Sequence, residues 1–221
     1  MSGFPPGLRE LLPASTIATW TAVAPIVPAG GYLAGGTALT VHLLHRVSRD
    51  LDFFIPSAFD PEALAGILER AGMFEATQLE EGTLNGIFKG TKVQFLEATT
   101  QHNLDPTIPT AGVEVAGLRD LFAMKLKVIA DRGELRDYFD LLTLERCTDL
   151  RAETMLPLFV ERYRPRVPRQ AVATIVLGLG YLGDVGDDPT LPMSRSDIET
   201  YWQRRQPEIG QAMHHGFSEQ Q

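Results

Sequence analysis

Two aspartates one residue apart, Asp50 and Asp52, stand between an arginine–serine turn and two phenylalanines in the segment GGTALTVHLLHRVSRDLDFF, Gly35–Phe54. In a strand, alternate residues share a face, so both carboxylates project one way while Leu51 and Phe53 turn into the core. Like charges that close resist joint ionisation unless a counter-charge is present. A divalent cation supplies one. Magnesium prefers hard oxygen ligands and takes one or two carboxylates together with the phosphates of its substrate. Upstream, Gly35 and Gly36 open a helix, whose first N–H groups and positive dipole end suit a phosphate. An isolated D-x-D or Gly-Gly is a common surface feature. The order of turn, helix and acid-bearing strand puts both halves of a nucleotide–metal site into twenty residues.

A second anomaly lies in LRDLFAMKLKVIADRGELRDYFDLLTL. At about 100° per residue, Leu118, Leu121, Phe122, Val128 and Ile129 form one apolar stripe, with Lys125 in its middle and Arg132 one heptad on. Lys127 falls on the opposite, solvent-facing side. A core-facing lysine is costly unless paired or able to snorkel. Lys125 therefore either borders an anionic cleft, where it neutralises phosphate charge, or pairs with a buried acid. The pattern leaves both open. Asp137 and Asp140, at i and i+3 on the next helix, read as surface acids or as partners of Lys125 and Arg132.

The elements that must position these residues follow from periodicity and punctuation. Residues 8–24 form a helix interrupted near Pro13, and Thr37–Val47 a helix packed on most sides. Asp50–Ile55 is a strand. Asp60 caps the next helix, with Pro61 in its first turn, Phe59 stapled onto Leu64, and Gly72 at its close. MFEATQL, LNGIF and KVQFLEA, split by turn residues, form an antiparallel meander. NLDPTIPTAG is a proline-punctuated loop. After Gly117 the chain is helical, with breaks near Gly133, Pro165–Pro168 and GDVGDDPTLP. The expectation is an α+β core over 1–116 and a helical C-terminal part over 117–221 that contributes active-site residues.

The 221 residues, 44% hydrophobic and 22% charged, fit an ordinary globular chain. One cysteine, Cys147, excludes a disulfide framework and a multi-cysteine zinc site. No apolar run is of bilayer length, and the N-terminus lacks the basic-then-apolar order of a signal peptide, so a cytoplasmic location is expected. A net charge of −8 argues against a protein that coats nucleic acid nonspecifically. The densest cationic stretch, ERYRPRVPRQ with Arg162, Arg164, Arg166 and Arg169, is the candidate for a local basic groove, or else a solvated helix end and turn, the plainer reading. Leu177, Leu179, Tyr181 and Leu182 read as helical-half core or, alternatively, as an interface. Oligomeric state is not specified by any of these features.

GGTAL…HRVSRDLDFF followed by DLFAMKLKVIADRGELRDYFDLLTL resembles the AbiEii/AbiGii-type nucleotidyltransferase toxins (MenT-like) of the DNA polymerase β superfamily, over residues 30 to 146. The resemblance implies a minimal nucleotidyltransferase fold, a mixed or antiparallel sheet flanked by helices, with a helical C-terminal part. It implies a metal-dependent toxin that transfers nucleotides from an NTP to RNA, notably the tRNA 3′ acceptor end, blocks translation and is held in check by a cognate antitoxin. It assigns Mg2+ (or Mn2+) to Asp50 and Asp52, and the NTP to Gly35, Gly36, Thr37, Arg46, Ser48 and Lys125. Asp140 matches the aspartate closing the family's second motif, with Asp137 beside it as a further catalytic candidate. Ser48 becomes a candidate for inhibitory phosphorylation, because a phosphate there sets charge against two acids. The wider superfamily often carries a third carboxylate on a later strand. Here that place holds Gln94, with Glu97 three residues on. Arg46, Arg49, Lys89 and Lys92 are candidates for a cationic RNA path. Alternatives are a transferase acting on a protein or small molecule, and a degenerate NTP-binding module.

Overall fold

A computed structural model of the chain describes residues 3–218. It divides into two compact units, with the boundary between Leu121 and Phe122.

The first unit is built on α1 (Leu8–Leu11), α2 (Ala14–Val23), β1 (Tyr32–Ala34), α3 (Gly35–Leu43), β2 (Leu51–Ile55), α4 (Pro61–Ala71), β3 (Phe74–Glu80), β4 (Thr83–Phe88), β5 (Thr91–Glu97), β6 (Ile108–Thr110) and β7 (Val113–Val115). Its strands form one sheet in the order β3-β4-β5-β2-β1-β7-β6. The β3–β4–β5 meander is antiparallel, β2 joins β5 in parallel, and β1 pairs antiparallel with β2 and parallel with β7. The sheet is therefore mixed. Strand β2 alternates as its sequence requires: Leu51, Phe53 and Ile55 are fully buried, and Phe53 stacks on Phe95 of β5 with centroids 5.2 Å apart. Asp60 caps α4 by accepting from the N–H groups of Glu62 and Ala63, each at 3.0 Å.

Three expectations are corrected in this unit. Helix α3 ends at Leu43, short of Val47, because Leu44 turns into the left-handed region at φ 49°. Strand β2 begins at Leu51, so Asp50 is the last residue of the loop before it. The NLDPTIPTAG segment is not wholly loop: Ile108–Thr110 pairs antiparallel with Val113–Val115 across a turn at Ala111-Gly112. Both turn residues take positive φ, 46° and 83°. Strands of three residues carry no readable period, which is why β1, β6 and β7 escape a pattern search.

The second unit comprises most of α5 (Leu118–Arg132), then α6 (Leu135–Cys147), α7 (Ala152–Tyr163), α8 (Pro168–Gly180) and α9 (Arg195–Ser218). Trp202 of α9 is fully buried and its indole N–H donates to the Tyr138 carbonyl at 3.0 Å. Beside it, the Glu145 carboxylate accepts from Arg205 at 3.0 Å, the Tyr201 hydroxyl at 2.6 Å and the Ala152 N–H at 2.8 Å, tying α6, α7 and α9 together. Burial alone would raise the Glu145 pKa, but these donors hold it below its ordinary value. The same burial and contact push the Tyr201 phenol up.

Val128, placed by helical periodicity on the apolar stripe of α5, is in fact exposed, whereas Ala123, Met124 and Leu126 are buried. Of the four residues read as helical core, Leu179 and Leu182 are buried but Leu177 and Tyr181 are exposed, since α8 and the turn after it are covered on one side only. The side chain of Arg132 lies outside the described residues.

Candidate active site

Within the first unit, Asp52, the glycine turn and the returning loop come together. Gly35 starts α3 at φ +66°, a conformation that L side chains avoid. A side-chain carbon there would also collide with a carboxylate oxygen of Asp52. The acid thus lies directly against the backbone at the amino end of a helix. Gly36 is required for a parallel reason: its missing side chain would stand 2.5 Å from the Arg46 guanidinium and 3.2 Å from the Ser48 hydroxyl. Arg46 and Ser48 are pressed over the first turn of α3.

The loop from Leu44 to Asp50 is held in that position by hydroxyls on the helices it crosses. Thr40 Oγ1 is 3.1 Å from the Arg46 carbonyl, and Thr16 donates to the Arg49 carbonyl at 3.0 Å. The Ser48 N–H donates to the Leu11 carbonyl at 3.2 Å. Thr37 Oγ1 lies 2.8 Å from Ser48 Oγ and also contacts the Asp50 carbonyl. A carbonyl only accepts, so Thr37 gives its one hydrogen there and the Ser48 hydroxyl donates to Thr37. Thr37 and Ser48 are buried, whereas Asp50 and Asp52 are half-buried.

The register explains the missing third acid. Asp52 is the direct neighbour of Gln94 in the parallel β2–β5 ladder, and Gln94 faces Asn85 on β4. Asn85 in turn donates to Gln78 of β3 at 2.7 Å. The face that carries Asp52 therefore continues as a row of amides, with no carboxylate at the Gln94 position. Asn85 and Gln78 escape the sequence reading; the period-2 pattern puts Asn85 on the polar face, but only the register brings it level with Asp52. Of the candidate RNA-path cations, Lys92 is exposed two residues before Gln94, while Lys89 lies over the Phe88 ring at 5.5 Å.

In the second unit, the out-of-place lysine finds two partners. Lys125 Nζ lies 2.7 Å from an oxygen of Asp137 and 2.7 Å from an oxygen of Asp140. All three are buried, Asp140 completely. The reading of these aspartates as surface acids is corrected; they are partners of Lys125, and the burial of nearly every residue of α6 between Asp137 and Glu145 is what a helical-wheel argument misses. Asp137 also accepts the Glu134 N–H at 2.9 Å, as half of the capping box that starts α6.

The donor set of the first unit suits a hard cation. Two half-buried carboxylates two residues apart supply oxygen ligands, and the backbone cradle at Gly35 holds one of them against a helix start. Among the described residues, no cluster of three or more His, Cys, Asp or Glu side chains is placed to hold a metal by itself.

A model of the nucleotidyl transferase AbiEii toxin family, Type IV TA system, matches residues 30–218. The chain belongs to the AbiEii nucleotidyltransferase toxin family. The match extends through the helical unit, well past the two motifs that carry the resemblance in the sequence. The crystal structure of JHP933 from Helicobacter pylori superposes with a TM-score of 0.53 at 17% identity, covering 95% of this chain and 100% of that one. A second H. pylori crystal structure gives 0.56 at 16% identity, covering 91% and 97%. At such identities these likenesses speak for the AbiEii fold alone. A sequence relative, the uncharacterized protein aq_aa25 of Aquifex aeolicus (strain VF5), is 29% identical over 180 residues, 78% of this chain and 81% of that protein. Membership of a toxin–antitoxin family implies an antitoxin partner. Among the described residues no helix is long and apolar enough to cross a membrane.

Proposed function

We propose that the chain transfers a nucleotide from an NTP to the 3′ acceptor end of tRNA, and so blocks translation until an antitoxin intervenes. The observation that carries this reading is the Asp52 carboxylate packed on the Gly35 backbone, which sets that acid at the amino end of α3. In the reaction, an acceptor hydroxyl oxygen forms a bond to the α-phosphorus, the bond to the β-phosphate oxygen breaks, and pyrophosphate leaves. Asp50 and Asp52 would hold Mg2+, or Mn2+, which when bound neutralises phosphate charge. The Gly35–Thr37 N–H groups and the Arg46 guanidinium receive the phosphates, with Ser48 beside them.

Lys125 serves the same transfer by balancing triphosphate charge. Asp137 and Asp140 are positioning residues that orient it, each carboxylate meeting its ammonium at 2.7 Å. With an amide at Gln94, no side chain is assigned to remove the hydroxyl proton, which passes to solvent. Phosphorylation of Ser48 would place a dianion beside two acids and close the phosphate site. Its burial against Thr37 requires the 44–50 loop to open first.

The test is incubation of the protein with each α-labelled NTP and total RNA in a cell extract. Label lost to RNase and absent from Asp52→Asn supports the reading. Label that survives RNase but is lost to protease overturns the tRNA acceptor. Gln94 favours one further reading, a non-catalytic NTP-binding module, and the absence of any label with either metal would select it.

A further inference from the structure

Helices α5, α7 and α8 of the second unit enclose a groove of about 490 Å³, walled by Lys127, Phe159, Tyr163, Arg166, Val167 and Gln170 among others. Its floor is aromatic, with the Phe159 and Tyr163 rings 5.3 Å apart. Two cations flank the Tyr163 ring: Lys127 Nζ at 5.8 Å from its centroid, and the buried Arg162 guanidinium at 5.5 Å. Asp131, the acid in the lining, meets Lys127 at 2.8 Å. The rim runs through Arg164, Arg166 and Arg169, three arginines in the six residues RPRVPR with no acid, in a chain whose net charge is −8. Arg164, Arg166 and Arg169 are all exposed, and Val167 is 52% exposed. This rim is a shaped turn. Arg164 ends α7 at φ 44°, its N–H bonded to the Val160 carbonyl at 2.8 Å, and Pro165 and Pro168 fix the backbone on either side.

The plainer sequence reading of this stretch is solvated surface; the groove behind it changes that reading. We propose that the groove binds a single-stranded segment of an RNA, one base lying against Tyr163 and Val167 and its phosphates meeting Lys127, Arg164 and Arg166. An acidic chain repels RNA overall, so binding requires a local cationic surface. Stacking on an aromatic ring accepts any base and needs only the π-face to be reachable. An acidic protein segment would also be drawn to the arginines but would gain nothing from the ring, and the test separates the two. The biological meaning of the groove rests on the RNA-acceptor reading above; its geometry does not.

The test measures fluorescence anisotropy of a labelled single-stranded RNA with the full chain carrying Asp52→Asn, which prevents turnover, across a range of salt. Adding Arg164→Glu and Arg166→Glu weakens binding by at least about tenfold and flattens the log–log salt slope by about two. Adding Tyr163→Leu, which keeps every charge, weakens binding by about fivefold or more without changing the slope. These positions are exposed or half-buried, and melting curves confirm that each variant stays folded. Parental affinity and slope in the arginine variant overturn the proposal. So does loss of affinity there combined with parental binding by Tyr163→Leu and displacement of RNA by polyglutamate, which marks a surface for acidic protein. If label transfer to RNA fails while RNA binding still depends on these residues, the groove stands and the acceptor reading falls. If transfer succeeds while the variants bind normally, the reverse holds.

Discussion

The two units treat their carboxylates in opposite ways. In the first, Asp50 and Asp52 stay half-buried, set against glycine backbone and hydroxyls at a helix start. In the second, Asp137, Asp140 and Glu145 are buried and ion-paired with Lys125 or Arg205. A buried, paired carboxylate has its charge compensated inside the protein, and its removal is felt as lost stability. Half-buried carboxylates beside a helix start can reach a ligand that arrives, and their removal is felt as lost binding or rate. The contrast predicts a double dissociation between activity and folding.

The largest effect tests the first half of it. Asp52→Asn keeps shape and hydrogen-bonding capacity but halves the charge of the acid pair. Transfer of label should fall by about a thousandfold or more, by analogy with the loss of a principal electrostatic group, while the melting temperature changes little, because Asp52 is half-buried and asparagine keeps its shape. A variant that loses its fold instead would erase the distinction between the units. Gly35→Ala sharpens the same point. It combines an unfavourable φ of +66° with a clash against Asp52, so transfer should drop even though no acid is altered. A rate close to that of the parent would show that the close approach of Asp52 to the backbone is incidental.

The second half is tested on the paired acids. Lys125→Met removes the ammonium that both buried carboxylates contact, and should cost about 3–5 kcal/mol in urea denaturation. Arg205→Met strips Glu145 of its guanidinium and should cost about 3 kcal/mol, with no effect on transfer at a temperature where the variant is folded. The pair separates two roles that Lys125 combines in the proposal. If Lys125→Met loses stability but transfers label normally when folded, Lys125 is a structural lysine and its catalytic assignment is wrong.

How much of this was legible in the sequence follows from how local each feature is. The alternation of Leu51, Asp52 and Phe53, with Leu51 and Phe53 buried, comes from a period of two and needs nothing beyond the strand itself, whereas the place of Asp50 in the loop before it does not. The anomaly of Lys125 is likewise visible on one helical wheel, but its resolution is not, because both partners sit on the next helix at a depth that depends on what covers it. The grip of Arg46 and Ser48 on Gly36 depends on where the chain leaves α3, and a left-handed leucine at position 44 sets that exit. Leucine gives no warning of it. The aromatic groove is invisible for the same reason, since three helices contribute to it and RYRPRVPRQ shows only its rim.

The smallest predicted effect sets the units against each other in pH. His42 of the first unit is half-buried, and its Nε2 lies 2.8 Å from the Ala116 carbonyl, so the neutral ring donates there. Burial lowers its pKa below 6.5, against opposing contributions from that carbonyl and from Asp105. A histidine depressed by folding takes up its proton more readily when unfolded, so stability is lost as the pH falls below about 6.5. Glu145 of the second unit is depressed as well, but as a carboxylate its contribution is complete above the ordinary carboxylate range and fades only as the pH falls through its lowered value. Mild acid should therefore weaken the first unit before the second. Each unit carries one of the two tryptophans, Trp20 and Trp202, both fully buried. With Trp202→Phe the remaining fluorescence follows the first unit, and with Trp20→Phe the second. Between pH 7.5 and 5.5 the urea midpoint reported by Trp20 should fall, by less than Arg205→Met lowers the other, while the midpoint reported by Trp202 holds. His42→Gln retains a donor for the Ala116 carbonyl and removes the titration, so it should abolish the fall. Equal losses at both tryptophans would mean that the units unfold as one, and the opposition drawn between their acids would then describe chemistry without describing stability.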